Sequence, residues 1–312
     1  VLFAIALATL SGSRSLAHSS SAKTKFVSID ATTVEARTEL LELGINIEEV
    51  YSDRVWSLVN EEEITRAKLA GFKILSEVSS SVFERANPGL FGNKNPQFPG
   101  KDAKYHDFAE MSAELKALHA KYPKLTQLQS IGKTWEGRDI VALHINTTPA
   151  DLNSGHSSKP GIVFMGAHHA REHLSSEIPR MLGQYLLEHQ LDQTIGKLLT
   201  TRDIWIIPMV NPDGAEFDIE GGSYHMWRKN RRENGEKERT MGVDLNRNYG
   251  FQWGTGGSSK IPSSDTYMGP EPFSEPESQA IRDFVKDHVN LKVLLSYHTY
   301  SELILYPWGH SK

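Results

Sequence analysis

Between Gly166 and Glu177 the chain reads GAHHAREHLSSE, with three histidines, two glutamates and an arginine in twelve residues. His169 and Glu172 stand three apart, so one turn of chain brings an imidazole nitrogen and a carboxylate oxygen to a common point. Zinc accepts both donor types, and its catalytic sites keep three protein ligands and one open position for water. A distant histidine would complete the set, and His298 is the candidate. Spacing alone leaves the question open. With 13 histidines, about one H-x-x-E arises by chance. A polar helix start, with Glu172 favoured by the macrodipole, accounts for the same residues.

The surrounding elements decide whether these groups can meet. GIVFMG, IWIIPMV and VLLSYH are short continuous apolar runs, which suit strands buried on both faces. Helical patterns flank them: Phe108, Met111, Leu115 and Leu118; then Ile178, Met181, Leu182, Tyr185 and Leu186; then Ile281, Phe284 and Val285. The expected fold is α/β, with a mixed, mostly parallel central sheet flanked by helices. Ligands of such sheets bind beyond the carboxyl ends of the strands. His168-His169-Ala170-Arg171-Glu172 follows the first run, Asn211-Pro212-Asp213-Gly214 the second, and His298 ends the third.

Upstream, residues 22–78 alternate strand, helix, strand, helix, strand, the pattern of a small ferredoxin-like α/β unit. Asn60 and Glu63 form a capping-box pattern, with Gly44 and Gly71 as helix stops. A stretch rich in Ser, Gly, Pro and Asn, residues 79–104, reads as a linker. The larger unit spans 105–312.

The chain has 312 residues, a net charge of −5 and no cysteine. Any metal must therefore be held by His, Asp or Glu, and the acidic balance argues against nucleic acid as a partner. VLFAIALATL at the start is too short to cross a bilayer. It fits the apolar region of a secretory signal over residues 1–17, with Ser15-Leu16-Ala17 as a cleavage site, though a buried strand or helix has the same composition. The expectation is a secreted, soluble monomer with no membrane span.

Four further stretches occur in order: HAREHLS at 169–175, WRKNR at 227–231, GVDLNRNYG at 242–250 and HTYSELILYPWG at 298–309. Together they resemble the zinc carboxypeptidase family of the A and B type, most closely its bacterial T-type members, over about residues 97–312. The resemblance implies one zinc ion held by His169, Glu172 and His298, with Asp244 fixing a bound imidazole. It implies Arg231 beside the scissile carbonyl and Arg228 in support. Asn246 and Arg247 match the pair that binds the substrate's terminal carboxylate, and Arg171 and Tyr300 match the upstream subsite. His168 and His173 match no ligand position and are expected to pack or hydrogen-bond nearby. Residues 22–78 are similar to the family's propeptide, an intramolecular inhibitor released by cleavage in the linker. The partners implied are the C-termini of peptides and proteins.

The sequence departs from the family after His298. There the family carries a general-base Glu and a mobile Tyr far downstream, whereas here only fourteen residues follow, with Glu302 as their one acid. Glu302 lies where the family has no base. The expectation is a fragment of an exopeptidase whose general base is absent from the chain. Alternatives are a non-catalytic protein that binds zinc or peptide C-termini, and an amidase or deacylase on the same fold. A zinc endopeptidase is disfavoured because no H-E-x-x-H occurs. Side-chain specificity is not legible.

Overall fold

The structure, a computed structural model, describes residues 25–47, 49–79, 98–99, 102–235, 237–299 and 303–307. The signal candidate and most of the linker lie outside these residues.

The front unit contains β1 (Lys25–Ile29), α1 (Val34–Glu42), β2 (Glu49–Val50), β3 (Val55–Val59), α2 (Glu61–Leu69) and β4 (Ile74–Ser79). Its antiparallel sheet runs β2-β3-β1-β4. Val27, Ile29, Leu40, Val55, Val59 and Ile64 form its core. The capping box is present in both halves. Asn60 Oδ1 accepts from the backbone N–H of Glu62 and Glu63, and Glu63 Oε2 accepts from that of Asn60. Such a cap contributes about 1 kcal/mol. Gly44 ends α1 at φ +78°, a left-handed position that glycine adopts without steric cost. The strand β2 was not expected; two residues carry no readable alternation.

The larger unit contains α3 (Phe108–Lys121), β5 (Thr126–Lys133), β6 (Asp139–Ile145), α4 (Pro149–Ser154), β7 (Gly161–Met165), α5 (Leu174–Glu188), α6 (Gln193–Thr201), β8 (Asp203–Ile207), α7 (Pro212–Asp218), α8 (Pro276–Asp287) and β9 (Leu291–Ser296). The sheet order is β5-β6-β8-β7-β9. The three strands read as apolar runs, β8, β7 and β9, are parallel neighbours. The β5–β6 hairpin joins β8 antiparallel, so the sheet is mixed.

Every residue of β8 is buried. Its period of two sends Trp205 and Ile207 to the face covered by Ala280, Ile281 and Phe284 of α8. Ile204 and Ile206 point to the opposite face, against Leu115, Leu118, Leu186 and Leu187. The expected core face of α5 is only partly inside. Leu186 is buried, but Ile178, Met181 and Tyr185 are exposed. The helix instead rests on Gly183, where an added Cβ would come within 3.2 Å of Ile206. That close approach turns the bulky stripe outward. Among the described residues β9 is an edge strand, with Val293, Leu294 and Leu295 exposed.

Candidate metal centre

The carboxyl ends of β7 and β9 carry the site. Beyond β7 the chain turns sharply. At Gly166 an added Cβ would fall 1.9 Å from the carbonyl oxygen of Ser175, so only glycine fits. Ala167 follows at φ +50°, a conformation that costs a non-glycine residue about 1 kcal/mol. Its N–H donates to Ser175 Oγ at 2.9 Å, and Ser175 Oγ donates to the Glu172 carbonyl at 2.5 Å. This knot presents His169 and Glu172. The N–H of Tyr297 donates to the Met165 carbonyl at 2.8 Å, extending the β7–β9 ladder and bringing His298 alongside.

Three donor side chains converge. His169 Nδ1 lies 2.7 Å from Glu172 Oε1, His298 Nδ1 lies 2.9 Å from Glu172 Oε2, and the two Nδ1 atoms are 3.1 Å apart. His169 Nε2 faces Asp244 Oδ1 at 3.1 Å, and a carboxylate there requires Nε2 to carry the proton. In the neutral ring that tautomer leaves the Nδ1 lone pair directed to the point where a Glu172 oxygen and His298 Nδ1 also meet, two imidazole nitrogens and a carboxylate that fit zinc. The fully buried Asp244 also accepts from Arg228 Nε at 3.1 Å. Burial pushes the Asp244 carboxyl up, but Arg228 and His169 outweigh it and hold the group well below the carboxylate range. Glu172 is likewise raised by burial and lowered further by His169 and His298.

A second loop is laced to the first. The N–H groups of Ala170 and Arg171 donate to the carbonyls of Arg228 (3.0 Å) and Trp227 (2.8 Å). Asp218 braces both loops. Its Oδ2 meets His173 Nε2 at 2.8 Å, and its Oδ1 accepts from the Trp227 N–H at 2.5 Å. His173 thus holds the turn beside Glu172 through its hydrogen bond to Asp218. His168 behaves similarly, between Tyr249 Oη (2.8 Å) and Ser296 Oγ (3.0 Å). Burial, and then its neighbours His298 and His169, push its pKa down to about 3.

Arg228 and Arg231, expected from sequence to support and to contact the scissile carbonyl respectively, lie at different distances from the cluster. Arg228 Nη1 lies 3.8 Å from Glu172 Oε1, at the edge of the cluster. Arg231 points elsewhere. Its guanidinium carbon lies 3.6 Å from the Phe217 ring centroid, and its Nε is 3.5 Å from Glu136 Oε1. The WRKNR stretch offers both arginines, and the backbone pairing at Trp227 and Arg228 places the first of them nearer the cluster. Arg247 Nε donates to the Gly257 carbonyl at 2.6 Å, and burial lowers its pKa. Its Nη2 has no hydrogen bond among the described residues. Asn246 is exposed beside it. Arg171 Nη1 donates to Asp265 Oδ2 at 2.9 Å and to the Met226 carbonyl at 3.0 Å. Sequence reading missed Asp265 and Asp218, which carry no motif. Tyr300 and Glu302 lie outside the described residues.

A family model described as zinc carboxypeptidase matches residues 111–312. The chain is 33% identical over 295 residues to a zinc carboxypeptidase of Saccharothrix mutabilis subsp. capreolus, covering 91% of this chain and 66% of that protein. It is 36% identical over 207 residues to carboxypeptidase B of Astacus astacus, covering 66% of this chain and 64% of that one. Its fold is similar to the crystal structure of carboxypeptidase A from Helicoverpa armigera, with TM-score 0.69 and 29% identity over 92% of this chain and 72% of that one. The chain spans between 48% and 66% of the length of the curated relatives it matches.

Proposed function

The chain belongs to the zinc carboxypeptidase family, and from that premise we propose that its site serves a zinc-dependent exopeptidase acting on the C-termini of peptides and proteins. One observation carries the reading: His169 Nδ1, His298 Nδ1 and the Glu172 carboxylate meet within 4.8 Å, with Asp244 behind them. These three residues would hold the ion. Zinc bound there would polarise a carbonyl and acidify a water. Arg228, fixed by Asp244, would receive the carbonyl oxygen as charge builds on it. Arg247 and Asn246 would bind the terminal carboxylate, since a guanidinium meets a planar carboxylate through paired hydrogen bonds. Arg171, oriented by Asp265, would line the upstream subsite with Tyr300. Glu172 and Asp244 are the carboxylates in contact with the cluster among the described residues, and both are already committed, so neither is assigned as general base.

We further propose that residues 22–78 act as an inhibitory propeptide in a secreted zymogen. Support comes from their placement: a Cβ at Gly44 would lie 3.4 Å from Ser264 and 3.5 Å from Ile261, on the loop whose Asp265 holds Arg171. No helix among the described residues is long and apolar enough to cross a membrane.

Calorimetry with zinc-loaded protein, freed of residues 22–78, tests the exopeptidase reading. A peptide with a free C-terminus is expected to bind at least about tenfold more tightly than its C-terminal amide, and Arg247→Gln is expected to erase the difference. Equal binding of both peptides would contradict it.

A further inference from the structure

A second group of donors stands at the C-terminal end of α8. His156, Asp287 and His288 each offer one ligand atom within 4.8 Å of the others. We propose that these residues, with the Gly155 carbonyl, form a second binding site for a divalent transition-metal ion, separate from the centre at His169.

The argument starts from His288, a buried ring with two carbonyl neighbours. Its Nδ1 lies 2.7 Å from the Phe284 carbonyl oxygen and its Nε2 lies 3.0 Å from that of Gly155. With the single N–H of a neutral ring placed on Nδ1, at the shorter contact, the Nε2 lone pair stands beside the Gly155 carbonyl oxygen, and one metal ion can take both as ligands. The other donors stand where that cation needs them. His156 Nε2 lies 3.7 Å from Asp287 Oδ2, and the His156 and His288 rings are 5.2 Å apart between centroids. Ligands about 2.1 Å from one ion lie roughly 3.0–3.5 Å apart at right-angle to tetrahedral geometry. The separations of 3.0 and 3.7 Å bracket that range. Two imidazoles, a carboxylate and a carbonyl suit zinc, cobalt or nickel better than calcium, which takes oxygen ligands.

Two surrounding features favour the same occupant. Asp287 is the last residue of α8 and His288 its cap, so the helix directs its negative end at the ion. An open cavity of about 570 Å³, lined by Ser130, Asp283, Lys286, Asp287 and His288, adjoins two of the donors. His156 and Asp287 are exposed, so both can adjust to a ligand without disturbing the core.

Equilibrium dialysis of tag-free, metal-stripped protein against micromolar Co²⁺, counted by mass spectrometry, tests the site. The expected result is two ions per chain, falling to one in His156→Ala and in Asp287→Ala, with the affinity of the lost ion reduced at least tenfold. His169→Ala is also expected to hold one ion, and the His169→Ala/His156→Ala pair none. Because both new-site substitutions are at exposed positions, their melting temperatures without metal should match the parent. A single ion in the parent, removed by His169→Ala, would overturn the second site and leave the first intact. A second ion indifferent to His156→Ala and Asp287→Ala would overturn it too.

Discussion

Arg228 and Arg231 stand three residues apart, and their surroundings differ completely. Arg228 touches Asp244 and reaches towards Glu172, whereas Arg231 lies flat on Phe217. Arg228→Gln is therefore expected to weaken binding of a phosphonate peptide, which carries tetrahedral negative charge, by about a hundredfold or more. Arg231→Gln should stay within a few-fold. The reverse order in a calorimetric titration would support the role expected from sequence. Four motifs in order pointed to His169, Glu172 and His298, which the structure brings together, whereas the placement of each arginine depends on which backbone pairs with Ala170 and Arg171.

A second residue-scale expectation concerns Glu277. It is buried, accepts from the Trp135 N–H at 3.0 Å, and burial raises its pKa to about 7. A carboxyl raised in the folded state keeps its proton there while the unfolded chain releases it. Its cost is absent below about pH 4.5 and grows until about pH 7, reaching on the order of 3 kcal/mol. Relative to the parent, Glu277→Gln should therefore gain stability as the pH rises from 5 to 8. Urea titrations at the two pH values that show a constant difference would refute this.

At the scale of elements, the strands were readable and their packing was not. Continuous apolar runs located β7, β8 and β9, but the burial on both faces that such runs imply holds for β8 and not for β9, which is exposed among the described residues. The outward turn of Ile178, Met181 and Tyr185 on α5 could not be read from periodicity, since it follows from how closely Gly183 approaches Ile206. The link between the two site loops was equally hidden. Asp218, at the end of α7, ties His173 to the backbone of Trp227. Loss of its charge should loosen both loops. Asp218→Asn is expected to lower zinc affinity by roughly tenfold or more, as removal of supporting carboxylates does elsewhere. Competition against a zinc chelator measures this, and an unchanged affinity would mean that the brace does not act on the site.

Over the whole molecule the described residues form two sheets, and the unit of the front one reaches the loop at Ile261 and Ser264. Phe98 already belongs to the larger unit: it packs edge-on against His173 at 4.8 Å, and Tyr224 Oη donates to Asp102 at 3.0 Å. Severing the chain upstream of Phe98 should release residues 22–78 and leave the new terminus docked. Peptide binding is then expected to rise at least tenfold, whereas the affinity for zinc stays level. Equal peptide binding before and after the cut would argue against an inhibitory front unit. The Asn146-Thr147-Thr148 glycosylation sequon shows the same dependence on the whole fold. Asn146 is fully buried, donates to Asp203 at 2.7 Å and accepts from Lys159 at 2.6 Å, so the folded chain cannot present it for glycosylation.

The central claim is that one zinc ion is held by His169, Glu172 and His298. Anomalous diffraction from crystals of the zinc-loaded protein, collected on both sides of the zinc edge, tests it most directly. The account requires a peak about 2.0–2.2 Å from His169 Nδ1, His298 Nδ1 and a Glu172 oxygen. Zinc-saturated crystals with no peak among those three atoms would contradict it.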